Sequence, residues 1–201
     1  MQNRVKLEPA PGTRGGDRRR RILKGLHDCV IQKGYAKTTL ADVARSAGMS
    51  PSHLLYYFSG KDAILKEYFE RVAARIRARI DSFRHDDLDR QLELLAELFF
   101  AGKGITRSEI GFMLECFGVA VHDPQLHREK TELDRFCKAY LKELFEQSSD
   151  NGAAKDAAEV AYAMLIGLRT AAYFDQRLGL PQARRLFRAE MSSLAGIDES
   201  G

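Results

Sequence analysis

The sequence predicts an all-α protein, and three observations lead to that prediction. Alanine (24) and leucine (23) dominate the 201 residues, whereas valine, isoleucine and threonine together number only 22, a balance that favours helices over strands. Pro51, Pro124 and Pro181 each directly precede a helical pattern, where proline is tolerated. No run alternates between apolar and polar residues for long enough to predict a strand.

Capping residues and apolar periodicity predict about nine helices. Thr39, Ser50 and Ser59 each precede a periodic apolar run, and their hydroxyl groups suit the N-cap position. The first predicted helix spans 17–33. The second starts after Thr39 and ends at Ala47-Gly48, the third starts after Ser50, and the fourth runs from Ser59 to about Phe83. Five more are predicted near 88–101, 107–121, 124–148, 154–178 and 182–195.

Composition excludes several classes of protein. The longest apolar run, Val160 to Leu168, is too short to span a bilayer, and the polar, Arg-rich start does not resemble a signal peptide. The three cysteines lack CxxC spacing and the five histidines lack metal-ligand spacing on a helix. We therefore expect a soluble, cytoplasmic protein with no metal, no cofactor, no catalytic residues and no enzymatic activity.

Charge is distributed unevenly along the chain. Residues 1–61 hold 12 Lys+Arg against 4 Asp+Glu, a net charge of +8, whereas residues 62–201 hold 20 against 24, a net of −4. The two values sum to the total of +4. This asymmetry predicts that only the N-terminal part meets a polyanion.

Residues 38–61 predict a helix-turn-helix that binds double-stranded DNA. Two short helices joined by a turn at Gly48 have the required spacing, and Leu40, Val43 and Leu54 can form the seam between them. The residues at the start of the second helix are expected to meet base edges or phosphates. The candidate DNA-binding residues are Arg18, Thr38, Thr39, Ser50, Pro51, Ser52, His53, Tyr56, Tyr57 and Lys61.

Other roles remain open for several of these residues. Either tyrosine could pack in the core, His53 could be an exposed polar residue, and both threonines could act only as caps. Residues 1–16 are predicted to be a flexible basic arm, because their Pro-Ala-Pro-Gly segment and Gly15-Gly16 oppose regular structure. The arm could contact DNA without sequence preference, act only as a solvated tail, or include cloning residues.

The segment from Arg18 to Leu65 resembles the DNA-binding domain of the TetR/AcrR family of bacterial transcriptional regulators. The matching features are the Arg-rich helix start, Gly34-Tyr35, Thr38-Thr39-Leu40, Ala44, Ala47-Gly48-Met49-Ser50, Leu54, Tyr56-Tyr57-Phe58, Lys61 and Leu65. Leu55 departs from the tyrosine that is frequent at its position, and His53 is bulkier than usual, which suggests a distinct operator preference. The implied domains are the DNA-binding domain over 17–62 and a ligand-binding and dimerisation domain over 63–201.

The resemblance implies a homodimer and a repressor that a small-molecule effector releases from a palindromic operator. Independently, the segment 153–172 is apolar almost all round, so one side of that helix is expected to meet the core and another a partner. The alternative is that both sides are covered within one chain. The candidate dimerisation residues are Val160, Met164, Gly167, Leu168, Ala171, Leu186, Phe187 and Met191.

An effector site is predicted among aromatic and polar residues of the central helices, although an ordinary core is an equal alternative. The candidate ligand-binding residues are Phe99, Phe112, Met113, Glu115, Cys116, Phe117, Phe136, Tyr140, Tyr162, Arg169 and Tyr173. Two other functions compete with a ligand-responsive repressor. One is a DNA-binding protein of the same fold that a protein partner controls, and the other is a helical binding or scaffold protein without specific operator recognition.

Overall fold

The structure is a computed structural model that describes residues 14–101, 106–148, 151–175 and 177–197. Over these ranges the chain forms helices and no strand, which confirms the predicted fold class. The nine helices of the described residues are α1 (Arg14–Lys33), α2 (Leu40–Ser46), α3 (Pro51–Leu55), α4 (Lys61–Asp81), α5 (Leu88–Phe100), α6 (Arg107–Ala120), α7 (Pro124–Phe145), α8 (Asn151–Phe174) and α9 (Leu180–Leu194).

Contacts divide the chain into two units, Met1–Phe69 and Glu70–Gly201. The division falls inside α4, later along the chain than the boundary after residue 62 that the sequence suggests. In the first unit, α2 packs against α1 and α3. In the second unit, α7 packs against α8, α5 and α8 pack against α9, and α6 packs against α7 and α8.

Apolar periodicity produces the core of the first unit as predicted. Ile22 and Leu26 on α1 are fully buried, and Val43 of α2 and Leu54 of α3 are buried with them. These side chains are withdrawn from water on three different helices, so their burial fixes the short α2 and α3 against the longer α1.

A glycine on α1 permits α2 to approach closely. A Cβ atom placed on Gly25 would lie 3.0 Å from the carbonyl oxygen of Val43 and 3.3 Å from the backbone nitrogen of Ala47. Both neighbours are backbone atoms of α2 or its C-cap, and backbone cannot move aside as a flexible side chain can. Gly25 therefore sets the distance between the two helices.

The turn between α2 and α3 is closed by backbone hydrogen bonds. The amide of Met49 donates to the carbonyl of Ala44 at 3.0 Å, and Gly48 adopts a positive φ of 67°, which favours glycine. The hydroxyl of Ser50 then caps α3 by accepting from the amide of His53 at 3.2 Å, and Pro51 occupies the first turn.

A charged capping box begins α2. The hydroxyl of Thr39 accepts from the amide of Asp42, and the carboxylate of Asp42 accepts from the amide of Thr39 at 2.9 Å. The ammonium of Lys33 on α1 also pairs with this carboxylate. The Lys33 hydrogen bond, followed by those from Thr39, lowers the pKa of Asp42 below its ordinary value of 3.8.

The second unit has a large aromatic core that includes a hydrogen-bonded pair of buried polar side chains. Phe112, Phe145 and Phe187 are fully buried. The hydroxyl of Tyr140 donates to Oε1 of Gln91 at 3.0 Å, and Nε2 of Gln91 donates to the carbonyl of Asp86 at 2.7 Å. Both buried polar side chains thereby have partners, which removes the penalty of leaving them unpaired.

The helix boundaries depart from prediction at several ends. α1 begins at Arg14, so Gly15-Gly16 lie inside a helix and not in the arm; two glycines weaken a helix without preventing it. The rest of the predicted arm, 1–13, lies outside the described residues.

The predicted cap of α4 by Ser59 is wrong. The helix begins two residues later, at Lys61, and Asp62 accepts a hydrogen bond from the hydroxyl of Tyr35. α4 also ends at Asp81, before a turn that holds Phe83. Among the described helices, none is long and apolar enough to cross a membrane.

The close approach at Gly25 predicts that Gly25→Ala destabilises the protein, by about 1–2 kcal/mol, because α2 must shift to admit a methyl group. Gly118→Ala is the matched control, since nothing lies within 4 Å of the Cβ position on that helical glycine. The control should gain up to about 1 kcal/mol from helix propensity. Urea unfolding of both variants checks the prediction, and a gain of stability in Gly25→Ala would contradict it.

The Asp42 contacts predict a defined pH dependence of stability. A carboxyl group whose pKa is lowered by folding contributes stability above its unfolded pKa and loses it as pH falls. Wild type should therefore exceed Asp42→Asn in free energy of unfolding at pH 7, and the gap should shrink as pH falls below 3.8. Lys33→Met removes the cation that pairs with Asp42, so the difference in free energy of unfolding between wild type and this variant should also shrink as pH falls. A gap that is constant with pH would contradict this account.

Candidate functional site

The exposed face of α3 brings together several of the predicted DNA-binding residues. Ser52 is exposed, His53 is half-buried, and Tyr56, just past the helix, is 71% exposed. Leu54 and Phe58 anchor the same segment in the core. The alternation follows from the helical period, which sends Leu54 inward and its neighbours outward.

Aromatic contacts orient the end of α3. The ring of Tyr57 packs edge-on against Tyr56, with centroids 5.2 Å apart, and lies 5.5 Å from the ring of His53. Nη1 of Arg18 donates to the hydroxyl of Tyr57 at 3.2 Å. Tyr57 is half-buried and Tyr56 is exposed, so the core-packing alternative does not describe Tyr56.

Arg19, which sequence analysis did not single out, joins α1 to the segment after α3. Its guanidinium pairs with Glu67 of α4, donates to the carbonyl of Tyr57 at 3.3 Å, and lies 4.5 Å from the ring centroid of Phe58. A planar guanidinium can make all three contacts at once. The only signal for it in the sequence was its place in the run Arg18 to Arg21, which does not separate structural from exposed arginines.

Lys61 is held in place by contacts with Tyr35. Its Nζ donates to the carbonyl of Tyr35 at 2.8 Å and lies 4.1 Å from the ring centroid of the same tyrosine. The hydroxyl of Tyr35 donates to Asp62. Lys61 therefore stabilises the junction of the loop after α1 with the start of α4, while its remaining N–H groups can still donate.

The two threonines serve as local structural residues. Thr38 is buried, and its hydroxyl donates to the carbonyl of Gly34 at 2.8 Å, so its side chain is not on the surface. Thr39 is exposed and caps α2, as the alternative interpretation expected. Of the pair, only Thr39 has a hydroxyl that solvent or a ligand can reach.

A cavity of about 460 Å³ lies in the second unit, within the volume range of ligand sites. Five of the predicted ligand-binding residues line it: Phe99, Met113, Phe117, Tyr162 and Arg169. The lining that sequence analysis missed includes Val72, Arg75, Ile76, Arg79, Glu97, Leu98, Glu109, Ile110, Leu114, Lys130, Leu133, Asp134, Leu165, Ile166 and Thr170.

The other six predicted ligand-binding residues lie elsewhere. Phe112, Cys116 and Tyr140 are core residues, and burial raises the pKa of both Cys116 and Tyr140 above their ordinary values. Phe136 lies beside the guanidinium groups of Arg77 and Arg84, and Glu115 is exposed.

Tyr173 also lies outside the cavity, because it packs onto α6. A Cβ atom on Gly111 would lie 2.6 Å from its Cε2 atom, so the glycine makes room for the tyrosine ring. The guanidinium of Arg107 covers the same ring at 5.6 Å. A helical glycine facing an aromatic residue on another helix is not detectable without knowing which helices pack together.

One wall of the cavity carries a hydrogen-bonded group of three polar residues. Nζ of Lys130 donates to Oδ2 of Asp134 at 2.6 Å, and the hydroxyl of Tyr162 donates to Oδ1 of the same carboxylate. Burial, followed by this hydrogen bond to a carboxylate, raises the pKa of Tyr162. Lys130 and Asp134 are four residues apart on α7, a spacing from which their ion pair could have been predicted.

Arg169 projects from α8 into the cavity wall. Its guanidinium lies 5.7 Å from the ring centroid of Phe99, and with the described residues it forms no hydrogen bond and no ion pair. Removal from water lowers its pKa, an effect that the charge of Glu109 opposes.

The predicted dimerisation residues fall into two groups. Val160 is 56% exposed, Leu186 and Gly167 are exposed, and Met164, Leu168 and Ala171 are half-buried. Phe187 and Met191 are fully buried in the chain's own core, so their side chains are not available to a partner. Phe187 packs against Phe100, with ring centroids 5.2 Å apart. The apolar stripe of α9 therefore faces inward at these two positions.

Over residues 14–101, 106–148, 151–175 and 177–197, no group of three or more His, Cys, Asp or Glu could hold a metal ion. Burial also raises the pKa of the Cys137 thiol to about 12, which leaves it protonated and unreactive at neutral pH.

Comparison with known proteins links both parts of the chain to regulators. Residues 22–68 match the family model of bacterial regulatory proteins of the tetR family, and residues 88–196 match that of the C-terminal domain of BetI-type transcriptional repressors. The HTH-type transcriptional regulator BetI 2 of Chromohalobacter salexigens is 27% identical over 155 residues, 75% of each chain.

Solved structures support the fold. A transcriptional regulator from Rhodococcus sp. Rha1 superposes with a TM-score of 0.78 at 18% identity, covering 89% of this chain and 96% of that one. A putative transcriptional regulator from Saccharomonospora viridis, in complex with choline, has a TM-score of 0.73 at 20% identity, covering 87% and 95%. Because the second family model alone spans more than half of the residues, the chain belongs to the TetR family of bacterial transcriptional regulators, with a BetI-type repressor C-terminal domain, and is not an enzyme.

Proposed function

We propose that this regulator binds a palindromic operator as a homodimer and is released when a small molecule occupies the cavity of the second unit. The observation that carries the proposal is that one chain of this family holds both a helix-turn-helix with an exposed polar face and a cavity of about 460 Å³. A regulator needs both a DNA-binding surface and a ligand site for a small molecule to control it.

The proposed DNA contacts come from the exposed face of α3 and nearby cations. Ser52, His53 and Tyr56 can donate hydrogen bonds to base edges or phosphates, and Arg45 on α2 is well exposed for a phosphate contact. Leu55 is 50% exposed between these polar residues. An apolar side chain in the major groove favours a thymine methyl group, so Leu55 supports a preference for thymine in each half-site.

The proposed dimer forms through the outer faces of α8 and α9. Val160, Ala163, Gly167 and Phe174 repeat at helical spacing along α8, and all four are exposed. Exposed Leu186 extends this apolar character onto α9, which packs against α8. Small residues within such a stripe permit a partner helix to approach closely, and a two-fold axis makes the contact self-complementary.

The proposed effector is a small molecule with substantial apolar surface. Eleven of the twenty residues that line the cavity are apolar and the other nine are polar or charged, so the cavity suits a ligand with both an apolar surface and a polar group. Choline, which the Saccharomonospora viridis protein binds, is the first ligand to consider from similarity. To empty an operator almost completely, any effector must favour the released state by several kcal/mol.

Selection of bound sequences from a random duplex pool tests operator recognition. The wild type should recover an imperfect palindrome, with half-sites about one helical turn, ~34–36 Å, or somewhat more apart. Tyr56→Ala should weaken binding to all recovered sequences, whereas His53→Ala should change the preferred bases at one position of each half-site.

Tyr56 also packs edge-on against Tyr57, so thermal unfolding of Tyr56→Ala must be measured to separate the loss of a DNA contact from the loss of this ring contact. Recovery of no consensus, with equally salt-sensitive binding to every duplex, would refute a specific operator. It would support a binding or scaffold role instead.

A charge at the proposed interface should separate the protomers. Val160→Glu would place a carboxylate in the apolar stripe and should produce a monomer in analytical ultracentrifugation. Val121→Glu is the matched control, because Val121 is 71% exposed at the end of α6 and lies outside the stripe. A monomeric wild type, or an equal effect of both substitutions, would refute the proposed interface.

A further inference from the structure

We propose that the effector is an organic anion, with an apolar body and one negatively charged group that binds the guanidinium of Arg169. This inference rests on the proposed function, since it assigns a chemical class to the small molecule of the cavity. It departs from the ligand of the Saccharomonospora viridis neighbour, because choline is a cation.

Arg169 of α8 contributes a half-buried cation to the cavity wall. Its guanidinium makes no hydrogen bond and no ion pair with the described residues, and it carries five N–H donors. Partial burial of a cation without hydrogen bonds to the protein has a free-energy cost in the unliganded state. A carboxylate or sulfonate would offset that cost by accepting two parallel N–H bonds from the guanidinium fork.

The aromatic rings of the cavity already interact with cations of the chain itself. Arg169 covers Phe99 at 5.7 Å, Lys130 covers Phe117 at 4.7 Å, and Lys138 covers Tyr162 at 5.4 Å. Recognition of a quaternary ammonium depends on open aromatic faces. A cationic ligand would therefore compete with charges that the protein supplies, and the chain has no tryptophan to add a further face.

The acidic residue at the hydrogen-bonded wall of the cavity, Asp134, is already paired within the chain. Both carboxylate oxygens of Asp134 are engaged, one by Lys130 and the other by Tyr162. Glu97 is exposed. Glu109 does line the cavity and acts on Arg169 through its charge, but it forms no ion pair with it within 4.0 Å. Arg169 thus keeps its N–H donors available.

Further positive charge favours entry of an anion. Arg75 and Arg79 of α4 line the cavity one helical turn apart, and both are exposed to solvent. The apolar wall includes Ile110, Met113 and Ile166, which can cover the uncharged body of the ligand. An apolar wall that holds a half-buried arginine beside two exposed ones suits an apolar acid.

Two fluorescent molecules with the same aromatic rings, one anionic and one neutral, test whether the cavity prefers an anion. 8-Anilinonaphthalene-1-sulfonate is an apolar anion, and N-phenyl-1-naphthylamine is the same ring system without the sulfonate. Fluorescence titration of the full chain should give tighter binding of the sulfonate. In Arg169→Met, the affinity for the sulfonate should fall by about 10- to 100-fold, the usual range for loss of charged hydrogen bonds, while that for the neutral amine changes less than about 2-fold.

Arg135→Met is the matched control, since Arg135 is an exposed arginine of the same unit outside the cavity. It should leave both affinities within about 2-fold of wild type. If Arg169→Met does not fold, Arg169→Lys replaces it. An ammonium cannot form the two parallel bonds, so the sulfonate should bind several-fold more weakly and the amine unchanged.

Equal effects of the Arg169 substitution on both molecules, or no effect on either, would overturn the proposal. Displacement of either molecule from the wild type by choline at equimolar concentration would overturn it as well. The titrations contain no DNA, so they can fail while operator binding succeeds, and a protein that binds no operator can still show the charge preference.

Discussion

A side chain larger than hydrogen at position 25 would meet the backbone of α2, and the arrangement of the DNA-binding unit depends on that close approach. Gly25 lets α1 lie within contact distance of Val43 and Ala47. With α2 fixed in this way, the turn at Gly48 and the buried Leu54 determine where α3 lies. A five-residue helix is not stable alone, so its position is a consequence of tertiary packing.

Basic residues of the first unit divide into structural and exposed groups, which changes the interpretation of the net charge of +8 over residues 1–61. Arg19 and Lys61 hold backbone carbonyls and aromatic rings, and Lys33 pairs with the capping carboxylate. In the second unit, Lys130 and Arg169 lie over aromatic rings of the cavity. In both units, therefore, cations stabilise aromatic and polar groups of the fold, and only some remain for a ligand.

Sequence patterns predicted the helices better than they predicted which side chains are in contact in the folded chain. Periodicity and caps were sufficient for the nine helices, because these signals are local. The cavity was predicted from the aromatic and polar content of the central helices, so Phe112 and Tyr140, which are core residues, were grouped with Phe99 and Arg169, which line it. Distinguishing them requires knowing how helices pack across long separations in sequence. Gly25 was missed for the same reason, since a helical glycine carries no sign of its neighbour.

In the proposed mechanism, an organic anion at Arg169 controls occupancy of an operator. A gel-shift titration of the operator complex with 8-anilinonaphthalene-1-sulfonate, in parallel with N-phenyl-1-naphthylamine and choline, tests this control. Only the anion should release DNA from the wild type, and Arg169→Met should stay bound at the same concentrations. Release by choline, or equal release of wild type and Arg169→Met by the anion, would contradict it.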